Sequence, residues 1–209
     1  GFEKLVYGGL TKVFAGIVIA PIGGLIVGLL LTGLIITIFA NRKPAPVNKT
    51  FGRLQIISSA WFALTHGAND GQKTMGIIAL ILFSTGMIPE LDIPLWVIFA
   101  AAAAMGLGTF FGGYKVIKTL GVKITKLKPY QGFAAETGGG IMLAAFAVLG
   151  IPASTTHAIT GTIMGSGAAR RKRAVRWKVS RQIIFSWIIT IPGAAGLGIG
   201  FTYLIHLFV

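Results

Sequence analysis

Apolar residues run through this chain in blocks too long for one face of a soluble helix, and polar residues are confined to short breaks between them. Apolar runs of roughly 18 residues or more read as membrane-crossing helices. The blocks predict an all-α polytopic membrane fold: spans over residues 13–40, 54–87, 94–113 and 183–208, and a helical hairpin over 130–149 and 153–168. Pro21 with Gly23 and Gly24 marks a kink in the first span, and Pro192-Gly193 marks another in the last. As one straight helix, 54–87 would extend roughly 50 Å at ~1.5 Å per residue, against a hydrocarbon core of about 30 Å. A polar run from His66 to Lys73 interrupts it, so the helix is expected to break near 67–71, at Gly67 and Gly71.

Charge gives these blocks a direction. Of 19 Lys and Arg, 16 fall in the segments 41–53, 114–128 and 170–181, between apolar spans. Short basic loops of this kind face the cytoplasm and suit anionic lipid headgroups. Residues 89–94 carry Glu90 and Asp92 and no base, which suits the outer side, and both termini are then expected outside. Lys128 and Arg170 lie on one side, so the two helices between them form a hairpin with its tip at residues 150–157, Gly-Ile-Pro-Ala-Ser-Thr-Thr-His. A polar tip is of more use at depth than in open water, and the hairpin is expected to be re-entrant.

Composition narrows the classes further. A 209-residue chain with 54% hydrophobic and 11% charged residues is not an ordinary soluble domain. The net charge of +14 sits in inter-span loops rather than on a groove-fitting face, which argues against nucleic acid. There is no cysteine, hence no disulfide and no thiolate metal site. No nucleophile, base and orienting acid assemble into a hydrolase pattern, and no enzyme is expected. The chain opens at Gly1 without a secretory signal pattern and reads as a processed or cut end.

The candidate chemistry lies where polarity interrupts the spans. A hairpin presents the N-terminal end of its second helix as a set of N–H groups with partial positive charge, which attracts anions. Pro152 can serve as an early helical residue there, and Ser154, Thr155 and Thr156 add hydroxyls. Asp70 and Glu136 are acids inside apolar segments, where a charge costs at least ~2.5 kcal/mol, so interior partners are expected. A carboxylate repels an anion unless a cation lies between them. Asn69, Asp70 and Glu136 offer hard oxygen ligands suited to Na⁺, or the acids take a proton, and either event favours anion binding. Lys73 is expected to neutralise Asp70, His66 and His157 to be packed and hydrogen-bonded, and Gly138-Gly139-Gly140 to serve close helix packing.

Three stretches together carry a resemblance: His66-Gly-Ala-Asn-Asp-Gly-Gln-Lys73 followed by Met75-Gly76, Gly132-Phe-Ala-Ala-Glu136, and Gly150-Ile-Pro-Ala-Ser-Thr-Thr-His157. The combination resembles the inorganic phosphate transporter (PiT) family of cation-coupled permeases. The resemblance implies symport of phosphate with Na⁺ or H⁺ at a midplane site built from two inverted repeats. It places Asp70, Ser154, Thr155 and Thr156 at phosphate, and Asn69, Asp70 and Glu136 at the cation; the hard oxygen ligands of these residues favour Na⁺. One copy of each motif is present where the family has two. The chain therefore reads as one half of an inverted-repeat transporter, the C-terminal one, completed by an N-terminal repeat half or by a second copy of itself. A sulfate permease and a non-transporting membrane scaffold are the other readings of the same residues.

Overall fold

The computed structural model describes residues 7–206, and every regular element among them is helical. The helices are α1 (Tyr7–Ile38), α2 (Pro44–Ser84), α3 (Leu95–Lys118), α4 (Pro129–Val148), α5 (Thr155–Arg170) and α6 (Trp177–His206). A π-helical turn, Thr119–Ile124, follows α3, and a short 3₁₀ turn, Lys172–Ala174, follows α5. The chain divides into two compact units, one ending at Val175 and one beginning at Arg176, to which α6 belongs. Three helical stretches, Tyr7–Ile38, Leu95–Tyr114 and Trp177–His206, are long and apolar enough to cross a membrane. The helices in 7–38 and 177–206 run through Pro21 and Pro192. The chain ends, and the last two positions of the expected 183–208 span, lie outside the described residues.

In the first unit α1 packs on α5 and α4, α2 packs on α4 and α3, and α4 and α5 pair as the expected hairpin. The α1 interface is built on small residues. Gly16, Ala20, Gly24, Gly28 and Thr32, each four residues after the last, form the buried stripe of α1. A Cβ on Gly24 would meet the Ala158 carbonyl at 2.6 Å, and one on Gly28 would collide with the Thr162 carbonyl. From the other side, Cβ atoms on Gly161 and Gly165 would collide with the carbonyls of Pro21 and Leu25. The two backbones touch, as small-xxx-small stripes allow in a membrane where packing rather than water drives association.

The glycine triplet of α4 serves packing as expected, each position against a different neighbour. Gly138 faces Val27 and Leu31 of α1, Gly139 faces Phe62 of α2 and Ile159 of α5, and Gly140 admits the Trp61 indole. At the end of α4, Gly150 takes φ +60°, the left-handed region. Its N–H donates to Ala147 O at 3.2 Å and that of Ile151 to Phe146 O at 2.9 Å, closing the helix as a Schellman motif. Gly86, at φ +72°, ends α2 the same way through its bond to Phe83 O.

Several expected boundaries move. α2 does not break at 67–71 but runs unbroken for 41 residues, roughly 60 Å. The cause is Asp70: its carboxylate bonds His66 four residues before it and Lys73 three residues after it, a spacing that meets only on an intact helix. The polar run thus holds the helix together. Pro44 and Pro46 do not keep 41–53 as a loop; they occupy the first turn of α2, where no N–H is required, so Lys49 and Arg53 stand on that helix. In 114–128, α3 continues to Lys118 and the π-helical turn takes up the next six residues. In 170–181, α6 already begins at Trp177. Pro152 precedes the helix it was expected to start, because Ser154 is the N-cap of α5.

Candidate functional site

Two carboxylates lie along α2, each in its own hydrogen-bonded group. Asp70 is reached by the His66 ring Nε2 at 3.1 Å, by Lys73 Nζ at 3.0 Å and by the Thr155 hydroxyl at 3.0 Å. Lys73 also donates to Ala153 O at 2.8 Å. Side chains of one α2 turn therefore hold both sides of the hairpin tip, and Lys73 neutralises Asp70 as expected. His66 also packs against the Phe62 ring, with centroids 5.7 Å apart. Beside it, Asn69 is 8% exposed, and its Oδ1 is buried without a hydrogen-bond partner.

Glu136 projects from α4 to the earlier part of α2. It accepts Gln55 Nε2 at 3.2 Å, the Ser58 hydroxyl at 2.6 Å and the Ser59 hydroxyl at 2.9 Å. Gly132, one turn before Glu136, makes room: a Cβ there would collide with the Gln55 side chain. Among the described residues both ion pairs involve Asp70, so the charge of Glu136 is met by neutral donors alone. In an apolar surround such an anion attracts a small cation.

The hairpin tip supplies the third part. Ser154 caps α5 and accepts from the His157 N–H at 3.4 Å. Thr155 is buried and Thr156 is exposed in the first turn of α5. A cavity of about 990 Å³ lies between the elements, with Glu136, Gln55, His66, Thr155 and Thr156 on its wall and the glycine-rich face of α3 opposite. It joins the Glu136 group to the hairpin hydroxyls. An anion in it would meet hydroxyls and the positive end of α5.

Of the residues expected at a site, Glu136, Thr155 and Thr156 line this cavity, whereas Asn69, Asp70 and Ser154 do not. Asp70 reaches its wall through Thr155 and His66. The three oxygen donors Asn69, Asp70 and Glu136 are not gathered around one ion. Ser58 and Asp70 are separated by 12 positions of continuous helix, a rise of about 18 Å, and a single Na⁺ cannot bridge that. Sequence reasoning passed over Gln55, Ser58 and Ser59. Their signal was available: polar residues at i, i+3 and i+4 share one face of an otherwise apolar helix.

Residues 36–198 match the sequence profile of the phosphate transporter family. A relative from Rhizobium meliloti (strain 1021), a probable low-affinity inorganic phosphate transporter, is 50% identical over 93% of this chain and 59% of its own length. One of the same description from Bacillus subtilis (strain 168) is 40% identical over 95% of this chain and 60% of its own length. A solved structure described as the sodium-dependent phosphate transporter superposes with a TM-score of 0.63 at 26% identity, covering 87% of this chain and 56% of that one. The chain thus spans between 43% and 60% of the length of the curated relatives it matches. All are transporters rather than enzymes.

Proposed function

Given that the chain belongs to the phosphate transporter family, we propose that it supplies one half of a site for cation-coupled symport of inorganic phosphate across the cell membrane, with Na⁺ as the favoured cation. The observation that carries the reading is the shared cavity wall, to which Glu136 of α4 and Thr155 and Thr156 of the hairpin all belong. Anion and carboxylate tolerate that proximity once a cation occupies Glu136, so cation binding strengthens phosphate binding and the reverse.

Phosphate takes the end of the cavity at the hairpin, held by Thr155, Thr156 and the first turn of α5, with Ser154 setting that turn as its cap. Asp70 acts behind Thr155. Its carboxylate is an acceptor, and singly ionised phosphate has a P–O–H to give it through a shift of the Thr155 bond. Sulfate at neutral pH has no such proton, so the same acceptor favours phosphate over sulfate. Na⁺ is assigned to two places instead of one: the buried Asn69 oxygen beside Asp70, and Glu136 with its serines. The rest of the site comes from an N-terminal repeat half or a second copy of the chain, consistent with the greater length of the relatives.

Competition tests the substrate. Radiolabelled phosphate bound to the purified chain in Na⁺ should be displaced by unlabelled phosphate at concentrations where sulfate leaves it in place. Equal displacement by sulfate would remove phosphate as the preferred anion.

A further inference from the structure

A second, smaller cavity of about 210 Å³ lies where α1 ends and where α2 and α4 begin. Arg42, Lys128 and Tyr130 bring polar groups to it, Ile36 and Phe39 give it an apolar floor, and none of its lining residues is acidic. Lys128 is the N-cap of α4 and Pro44, also on the wall, is the first residue of α2, so the positive ends of two helices add to two basic side chains. Asn48 lines the same cavity, and its Oδ1 is buried with no hydrogen-bond partner. An unpaired buried acceptor of this kind costs stability unless a donor fills it.

We propose that this cleft binds the headgroup of an anionic phospholipid of the phosphatidylglycerol type. The phosphodiester sits between Arg42 and Lys128 with Tyr130 as a further donor. The cavity is far too small for acyl chains, which lie along the exposed apolar side of α1 formed by Leu34 and Ile38. Free phosphate satisfies the two cations but leaves the apolar floor of Ile36 and Phe39 uncovered; an anion tethered to hydrocarbon covers both. The choline of a zwitterionic lipid would bring a further positive charge to a cleft that holds two basic side chains and no acid. The lipid joins α1, α2 and α4 at one end of the unit and is independent of the transport reading.

Native mass spectrometry on the whole chain in detergent tests this, with phosphatidylglycerol, phosphatidylcholine and inorganic phosphate titrated separately. Phosphatidylglycerol should bind most tightly, and inorganic phosphate at equal concentration should not displace it. R42Q/K128Q should weaken it about 30-fold, the scale for two basic groups at an anionic lipid surface. Ile36→Trp, which fills the cleft and keeps every charge, should weaken it as well. R173Q/K178Q, which removes the same charge from exposed positions elsewhere, should leave it unchanged. Thermal unfolding without added lipid shows whether each variant is folded, and Ile36→Trp decides if the double variant is not. The proposal is overturned by undiminished binding to Ile36→Trp, by equal loss in R173Q/K178Q, by phosphatidylcholine binding as well, or by displacement with inorganic phosphate.

Discussion

The Thr155 hydroxyl, in the first turn of α5, donates to Asp70 in the middle of α2 at 3.0 Å, across 85 residues of chain. Lys73 makes the complementary tie, bridging Asp70 and the Ala153 carbonyl of the hairpin tip. One carboxylate thereby sets where the tip stands against α2. A change in its charge or partners reaches the hydroxyls that face the cavity.

Replacing Thr155 by valine keeps the shape and removes the donor. The loss of one hydrogen bond between membrane helices should lower stability by about 1 kcal/mol. Phosphate binding should weaken at least tenfold, on the scale of one lost hydrogen bond to a charged group, and Thr155→Ser should retain most of it. Calorimetric titration of both variants checks this; wild-type affinity in the valine variant would separate Thr155 from the anion.

Lys73 and Asp70 should be energetically coupled. Lys73→Met leaves Asp70 without its cation and the Ala153 carbonyl without its donor, whereas in Lys73→Met with Asp70→Asn the charge is gone as well. The double variant should therefore be less destabilised than the sum of the singles, by about 0.5 kcal/mol or more. A thermal-unfolding cycle in one detergent measures it, and strict additivity would show that the pair does not interact.

Glycines divide into those that admit a neighbour and those that do not. Gly165→Ala would drive a methyl into the Leu25 carbonyl and should destabilise by about 1–3 kcal/mol. Gly67→Ala meets nothing within 4 Å and lies inside continuous α2, so it should be neutral or stabilise by up to about 1 kcal/mol. Destabilisation at residue 67 on a par with that at 165 would mean that α2 bends there.

The same positions show what the sequence made legible. The α4–α5 hairpin followed from Lys128 and Arg170 flanking a Pro-Ala-Ser-Thr-Thr tip, since charge and turn chemistry are local signals. The first helix, Tyr7–Ile38, overlaps the expected span 13–40 but begins earlier, and Gly24 and Gly28 give no local sign of their partner; only the structure shows them against the backbone of α5. The expected break in α2 treated Gly67 and Gly71 as the decisive residues. The i, i+3 and i, i+4 partners of Asp70 outweigh them, because each helical bond to a half-buried carboxylate opposes the glycine propensity cost. Asp70 and Glu136 were recognisable as interior acids, yet their separation depends on how far α2 runs unbroken. Gln55, Ser58 and Ser59 escaped notice because neutral polar residues barely disturb an apolar average.

The most direct test of the central claim is calorimetric titration of phosphate into the purified chain, with Na⁺ present and with Na⁺ replaced by choline, for wild type and for Glu136→Gln. Coupling through Glu136 predicts saturable binding that is at least tenfold tighter in Na⁺, on the usual scale of coupling between two sites. It also predicts a folded Glu136→Gln chain whose phosphate affinity no longer depends on the salt. Wild-type affinity that is the same in Na⁺ and in choline would contradict the account.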